Sequence, residues 1–206
     1  SRLKPGVSPL VYTRFLLDCT AFLNLTDMGK VLPEYEEIPV PIEMAPEVRK
    51  EYKRLEDTLK HVMKSDKKAC KKILSSYMNL LTAHPDQPYG QPAIKHPFDG
   101  YDIVKPKDTM PPGAIMPKDQ MVLKIAEEKI AAGGKVLIYT NWTRLDTPKR
   151  LLKLVTERGW NATILEAKVK PEAREDWVQD RLDHGLQVLI GNPSLVETGL
   201  DLNAFT

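Results

Sequence analysis

The sequence predicts an α/β fold: a parallel-sheet lobe preceded by a helical hairpin and a proline-rich linker. From Lys118 onward, short apolar runs alternate with segments of helical period. Before His84, two long stretches carry their apolar residues on single helical faces. Between them, prolines are dense enough to exclude regular helix. The expected regions are therefore 1–84, 85–117 and 118–206.

Within the first region, Ile38, Val40, Ile42 and Met44 alternate with other residues, which suggests a strand. Pro39 and Pro41 restrict it to a sheet edge or an extended arm. Pro46 suits the first turn of a helix whose Val48, Tyr52, Leu55, Leu59 and Val62 share one face. A second helix carries Cys70, Ile73, Leu74, Tyr77 and Leu81 on one stripe, completing a hairpin. Eight prolines, from Pro85 to Pro117, then make a linker or surface crossing and a candidate domain boundary.

In the third region, Asp119 is placed to N-cap a helix bearing Val122, Ile125, Ala126 and Ile130, with Gly133-Gly134 as its stop. Val136–Thr140, Ala162–Leu165 and Gln187–Ile190 are short apolar runs, as in strands covered on both faces. Pro148 and Pro171 open the intervening helices, which end near Gly159 and Gly185. Strand and helix in strict alternation with short joints imply right-handed crossovers and a parallel sheet.

Composition bounds the function. The chain has 206 residues, 42% of them hydrophobic and 28% charged, with a net charge of +2, so it is long enough to bury a core and does not require a polyanionic partner. Between Glu47 and Lys72, however, ten basic residues face five acids, an excess that either meets phosphate or forms a solvated helix surface. Cys19 and Cys70 make no metal or disulfide pattern, and there is neither a signal-peptide layout nor an apolar run long enough to span a membrane. The expectation is an intracellular, cytoplasmic protein, nucleoid-associated if the source is prokaryotic.

Ligands of open parallel sheets bind outside the carboxyl ends of the strands. Those ends carry Asn141-Trp142-Thr143-Arg144, then Glu166-Ala167-Lys168, then Gly191-Asn192-Pro193-Ser194 running on to Glu197-Thr198-Gly199-Leu200-Asp201. Amides, hydroxyls, glycine and basic groups suit phosphate, although strand-end loops are polar in any case. No G-x-x-x-x-G-K-[ST] loop, acidic magnesium box or G-x-G-x-x-G turn occurs. The four histidines lack metal-ligand spacing, and His184, beside Gly185, suits a helix cap better than catalysis.

Lys135 to Thr143 resembles motif IV of superfamily 2 helicases. Glu172-Ala-Arg174 with Trp177, Val178 and Arg181 resembles the helix that follows it, and Val188 to Leu202 resembles motif V. Phe22 to Pro33, Glu37 to Met44, Tyr52, Leu80-Leu81 and His84-Pro85 are similar, in the same order, to the segment joining the two lobes of Swi/Snf-type ATPases. The resemblance implies the interlobe segment and most of a RecA-like helicase C-terminal lobe, truncated before motif VI, from an ATP-dependent DNA helicase or translocase of the Swi/Snf type. The arginine finger would lie beyond Thr206, and the phosphate-binding and acidic motifs before Ser1. Val196-Glu197 and Asp201 depart from the family's glycines and asparagine, which implies a divergent branch, prokaryotic or from a mobile element.

The resemblance further implies that Asn141, Trp142, Thr143, Arg144, Thr198 and Gly199 meet nucleic acid. Arg174 either contacts phosphate or makes a structural salt bridge, and Trp142 either contacts the strand or packs beneath a helix. Asp201 and Glu197 would face the nucleotide cleft. ATP and Mg2+ would be bound mainly by the N-terminal RecA-like lobe in cis. The expected partner is DNA, duplex before single strand, with no membrane, no resident metal and no catalytic residue in this segment. Two other readings stand beside it. Pro193-Ser-Leu-Val-Glu197-Thr-Gly-Leu200 superficially resembles a loop of sugar-nucleotide glycosyltransferases, but position 205 is Phe where that family's second Glu would lie. The third reading is a non-enzymatic interaction module in which the helical hairpin binds a partner.

Overall fold

The computed structural model describes residues 10, 14–15, 36–196, 200 and 202–205. The chain clusters into two compact units, Ser1–Pro41 and Ile42–Thr206, and the second holds the elements that build the site. Residues 36–45 form neither helix nor strand, so of the two forms expected there, edge strand or extended arm, the strand is not made. Pro39 and Pro41 have no N–H to give a ladder, so the alternation of Ile38 to Met44 has no sheet to serve.

Helix α1 spans Pro46–Ser65, with proline in its first turn and Lys64 in its last. It buries Leu55, Leu59 and Val62 against α2, Lys67–Ala83. The Asp66 carboxylate caps α2 by accepting the Ala69 N–H at 2.8 Å. Cys70, Ile73, Tyr77, Leu80 and Leu81 face α1, whereas Leu74 is 40% exposed. Leu74 sits one position off the Cys70–Ile73–Tyr77 stripe and so turns away from it. The Tyr77 hydroxyl donates to the Leu55 carbonyl at 2.8 Å, and burial pushes its pKa up to about 12.

Residues 85–117 carry a small antiparallel pair, β1 (Ile94–Lys95) and β2 (Asp102–Val104), whose Ile94 and Val104 join the core of the helical hairpin. The Lys107 N–H donates to the Glu51 carboxylate at 2.8 Å, and Arg54 donates to the Lys105 carbonyl at 2.9 Å. Burial alone would raise the Glu51 carboxyl, but the Arg54 guanidinium and the Lys107 N–H together hold it below its usual range.

Helix α3, Pro117–Ala131, leads into a three-stranded parallel sheet. Pro117 takes the first helical position and Met116 the cap, so Asp119 lies one turn inside and accepts the Met116 N–H at 2.9 Å. This corrects its expected role as N-cap. Gly133, at φ 82°, ends the helix in the left-handed conformation that glycine adopts without a Cβ clash. The strands are β3 (Val136–Tyr139), β4 (Ala162–Leu165) and β5 (Val188–Gly191), in the order β3-β5-β4. The helices between them are α4 (Thr147–Glu157) and α5, Arg174–Asp183, the latter entered through a 3-10 turn at Pro171–Ala173.

Alternation along the strands divides the core. Val188 and Ile190 of the central strand pack with Leu123, Ile138, Leu151, Leu154 and Val155 under α3 and α4. Leu189 turns the other way, to Leu165, Val178 and Leu186 under α5. The chain steps outward from β3 to β4 and back to β5, so right-handed crossovers put α4 and α5 on opposite faces. The result is a mixed α/β protein with a parallel sheet covered on both sides. Among the described residues, no helix is long and apolar enough to cross a membrane.

Candidate functional site

Parallel strands deliver their following loops to one edge of the sheet, and here the three loops meet. The Thr140 N–H donates to the Gly191 carbonyl at 2.9 Å, extending the β3–β5 contact by one residue. The Asn192 amide then ties the first loop to the third: Nδ2 donates to the Thr140 carbonyl at 3.2 Å, while Oδ1 accepts from the Ser194 N–H at 2.9 Å and the Ser194 hydroxyl at 2.6 Å. A cleft of about 510 Å³ opens between them. Thr143 comes from the loop after β3, Lys149 from the first turn of α4, Glu166 and Ala167 from the loop after β4, and Asn192 and Ser194 from the turn after β5. Leu145, Ile164 and Leu195 form an apolar floor.

A second groove, of about 460 Å³, lies on the other side of the β3–α4 loop. Asn141, Trp142, Thr143 and Arg144 all line it, opposite Ser76, Asn79 and Leu80 of α2. The structure therefore brings these four sequence-predicted residues together, with Asn141, Thr143 and Arg144 exposed and Trp142 half-buried. Thr143 borders both cavities.

Arg174 is 8% exposed, and its guanidinium donates to two backbone carbonyls, Val169 at 3.2 Å and Leu195 at 3.0 Å. It ties the loop after β4 to the turn after β5, with no carboxylate in reach among the described residues. On the same helix Arg181 lies over the Trp177 ring, 3.6 Å from its centroid. His184 follows the last turn of α5, exposed and 3.6 Å from Asp180, as a cap residue would be. Glu197, Thr198, Gly199 and Asp201 lie outside the described residues.

Sequence reasoning missed the network that holds the β3–α4 loop in place. Arg150, 5% exposed, grips the Asp119 carboxylate through Nε at 2.9 Å and Nη2 at 3.3 Å. It also donates to Asp146 at 2.8 Å, to the Tyr89 hydroxyl at 3.3 Å and to the Asp86 carbonyl at 2.7 Å. Tyr89 hydrogen-bonds Asp146, and burial together with that carboxylate raises its pKa. The Asp146 N–H donates to Gln87 Oε1 at 2.8 Å. Residues 86–89 are thus fastened to both α3 and α4. Only the Asp146–Arg150 spacing of four, which places both on one helical face, signalled any of this. Among the described residues, two buried groups lack hydrogen-bond partners: Thr147 Oγ1 at the start of α4, and both ring nitrogens of His84. Burial lowers the His84 pKa and favours the neutral ring, although the Glu51 charge opposes this.

The cleft presents a lysine, two hydroxyls and an amide above an apolar floor, with Glu166 at one side. That set can hold a phosphate ester through Lys149, Thr143 and Ser194, and the apolar floor can take a flat or aliphatic group. Among the described residues, no cluster of three His, Cys, Asp or Glu side chains is arranged for a metal ion. The chain matches no protein-family model, no curated protein and no solved structure.

Proposed function

We propose that this chain supplies the nucleic-acid-contacting and nucleotide-cleft face of the second RecA-like lobe in an ATP-dependent DNA translocase of the Swi/Snf type. The observation that carries the reading is the meeting of the three strand-end loops, with Asn141 to Arg144 lining a groove against the helical hairpin. A sheet of order β3-β5-β4 with helices on both faces is compatible with such a lobe. In this reading, Asn141, Thr143 and Arg144 meet the backbone of duplex DNA, because exposed amide, hydroxyl and guanidinium groups pair with phosphate oxygens without reading sequence. Arg174 acts one step back, holding two cleft loops at fixed spacing through their carbonyls. The same resemblance assigns Glu197 and Asp201 to the nucleotide and Thr198 and Gly199 to the strand; all four lie outside the described residues. ATP and Mg2+ are held mainly by the first lobe, where phosphoryl transfer is driven by positioning and electrostatics.

The test is fluorescence anisotropy with labelled duplex DNA over a range of salt concentrations. Wild-type chain is expected to bind weakly, with Kd of about 10⁻⁴–10⁻⁶ M, and Arg144→Ala to lower the magnitude of the salt slope by about 0.9, one phosphate contact. The 206-residue chain is expected to turn over no ATP. Salt-independent binding, no binding, clear ATP turnover, or thermal stabilisation by a UDP-sugar but not by DNA would each overturn the proposal.

A further inference from the structure

The basic excess between Glu47 and Lys72 divides into two parts. Along α1 as far as Lys60, Lys50 apart, the basic residues are paired: Arg49 with Glu43 at 2.9 Å, Arg54 with Glu51 at 2.6 Å, and Lys53 and Lys60 with Glu56, both at 2.9 Å. At the α1–α2 turn they are not. Lys64, Lys67, Lys68, Lys71 and Lys72 are all exposed, and none makes an ion pair among the described residues. The one acid within this run, Asp66, is occupied by the Ala69 N–H and by His96, whose Nε2 lies 3.3 Å away.

That contact fastens the β1–β2 loop against the lysine-rich turn. His96 is 7% exposed, its Nδ1 accepts the Asp99 N–H at 3.2 Å, and its ring stacks on Tyr101 with centroids 4.7 Å apart. Phe98 meets the same ring edge-on at 5.8 Å. Gly100, at φ 75°, makes the tight turn that presents both aromatics. Phe98 is 62% exposed and Tyr101 58%, so each keeps most of its surface in water, on a loop that the His96–Asp66 contact holds to the lysine-bearing turn and that also exposes Asp99 and Asp102.

We propose that this end of the helical hairpin is a second nucleic-acid surface, on which the lysines follow the phosphates of a single strand while Phe98 and Tyr101 take its unstacked bases. Charge complementarity selects a polyanion. The exposed rings select one with flat π-faces open to stacking, which a duplex keeps inside its own stack and a lipid headgroup lacks. The surface uses none of the residues of the strand-end cleft and stands whether or not the reading of that cleft does.

Anisotropy with a short labelled thymidine oligonucleotide tests it, with circular dichroism to confirm that each variant folds. Wild type is expected to bind with steep salt dependence. The triple variant Lys67→Gln/Lys68→Gln/Lys71→Gln should weaken binding at least about 10-fold at low salt and lower the magnitude of the salt slope by about 2, at about 0.7 per lost phosphate contact. Phe98→Ala should weaken it about 5-fold or more, the loss of one stacked base, and leave the salt slope unchanged. Tyr101→Phe should bind as wild type, and so should Arg144→Ala. The proposal fails if wild type does not bind the oligonucleotide, if the lysine variant keeps its slope, or if Phe98→Ala keeps its affinity. It also fails if Arg144→Ala abolishes single-strand binding, or if phosphatidylserine vesicles bind as well as the oligonucleotide and lose binding on the same substitutions.

Discussion

Arg150→Ala removes a guanidinium that makes hydrogen bonds to four partners from a site only 5% exposed. The Asp119 carboxylate, 4% exposed, would keep the Met116 N–H but lose its counter-charge. Stranding a buried charge in this way costs about 3–5 kcal/mol. The Asp86 carbonyl would lose its 2.7 Å donor, a further penalty of about 1–3 kcal/mol if it stays buried. These losses share one side chain and relax together, so a total near 4 kcal/mol is expected rather than their sum. That is a large fraction of the ~5–15 kcal/mol that holds an ordinary domain together. Urea denaturation followed by tryptophan fluorescence measures it, since Trp142, Trp160 and Trp177 all lie in the α/β part of the chain. The midpoint should fall with little change in slope. Arg150→Met/Asp119→Asn should be more stable than Arg150→Met alone, because neutralising the partner removes the stranded charge while keeping an acceptor for Met116. A loss under about 1 kcal/mol for Arg150→Ala, or strictly additive effects in the cycle, would show that the pair is solvated and the reasoning wrong.

Tyr77→Phe leaves the buried Leu55 carbonyl without its 2.8 Å donor and should cost about 1–2 kcal/mol in the same assay. Arg174→Ala removes the bridge between the loops after β4 and β5, and should lower stability by about 1–3 kcal/mol and raise the rate of proteolysis within 193–196. Acid should destabilise the protein in two steps. The His84 pKa is lowered in the fold, so the unfolded chain binds the extra proton first and stability falls as pH drops through about 6.5, an effect that His84→Leu should abolish. The Glu51 carboxyl is held below its ordinary range by Arg54 and the Lys107 N–H, so its contribution is present above the ordinary carboxyl range and is lost as pH falls further; Glu51→Gln should flatten that second limb. Thermal melts from about pH 3 to about pH 8 would read both limbs.

The strands and helices of 118–206 were legible because their signals are local. A continuous apolar run such as Val188–Ile190 hides which side chain faces which way, yet it still announces a strand buried on both faces, and Val188 and Ile190 do part from Leu189. The meeting of the strand-end loops was legible for a related reason: once strands are parallel, their following loops must share an edge. Partners distant in sequence were not. Asp119 reads as a helix cap, and Arg150 and Asp86 as ordinary helix-surface and loop charges; nothing local says that Arg150 will reach 31 residues back to Asp119 and 64 to Asp86. An arginine at position 174 suits a phosphate or a carboxylate equally well, but its partners are carbonyls, groups that every residue carries and no sequence pattern marks.

The basic run of α1 and α2 carries the same lesson in electrostatic form. A count of ten bases against five acids cannot separate a solvated face from a phosphate-binding one, because a net excess is indifferent to which charges are already paired. Helical spacing settles half of the question: Lys53 and Lys60 lie three and four residues from Glu56, close enough to pair along one face. The other half depends on the fold. Asp66 would have been the natural partner for the lysines around it, but capping α2 and contacting His96 occupy it, and His96 comes from a loop 30 residues away. The excess of five lysines over one acid between Lys64 and Lys72 is set by the sequence, and the fold adds only that the one acid, Asp66, is turned toward Ala69 and His96 and pairs with none of them. Freeing that carboxylate, by replacing His96, would let it compete for the same lysines that the proposed nucleic-acid surface needs.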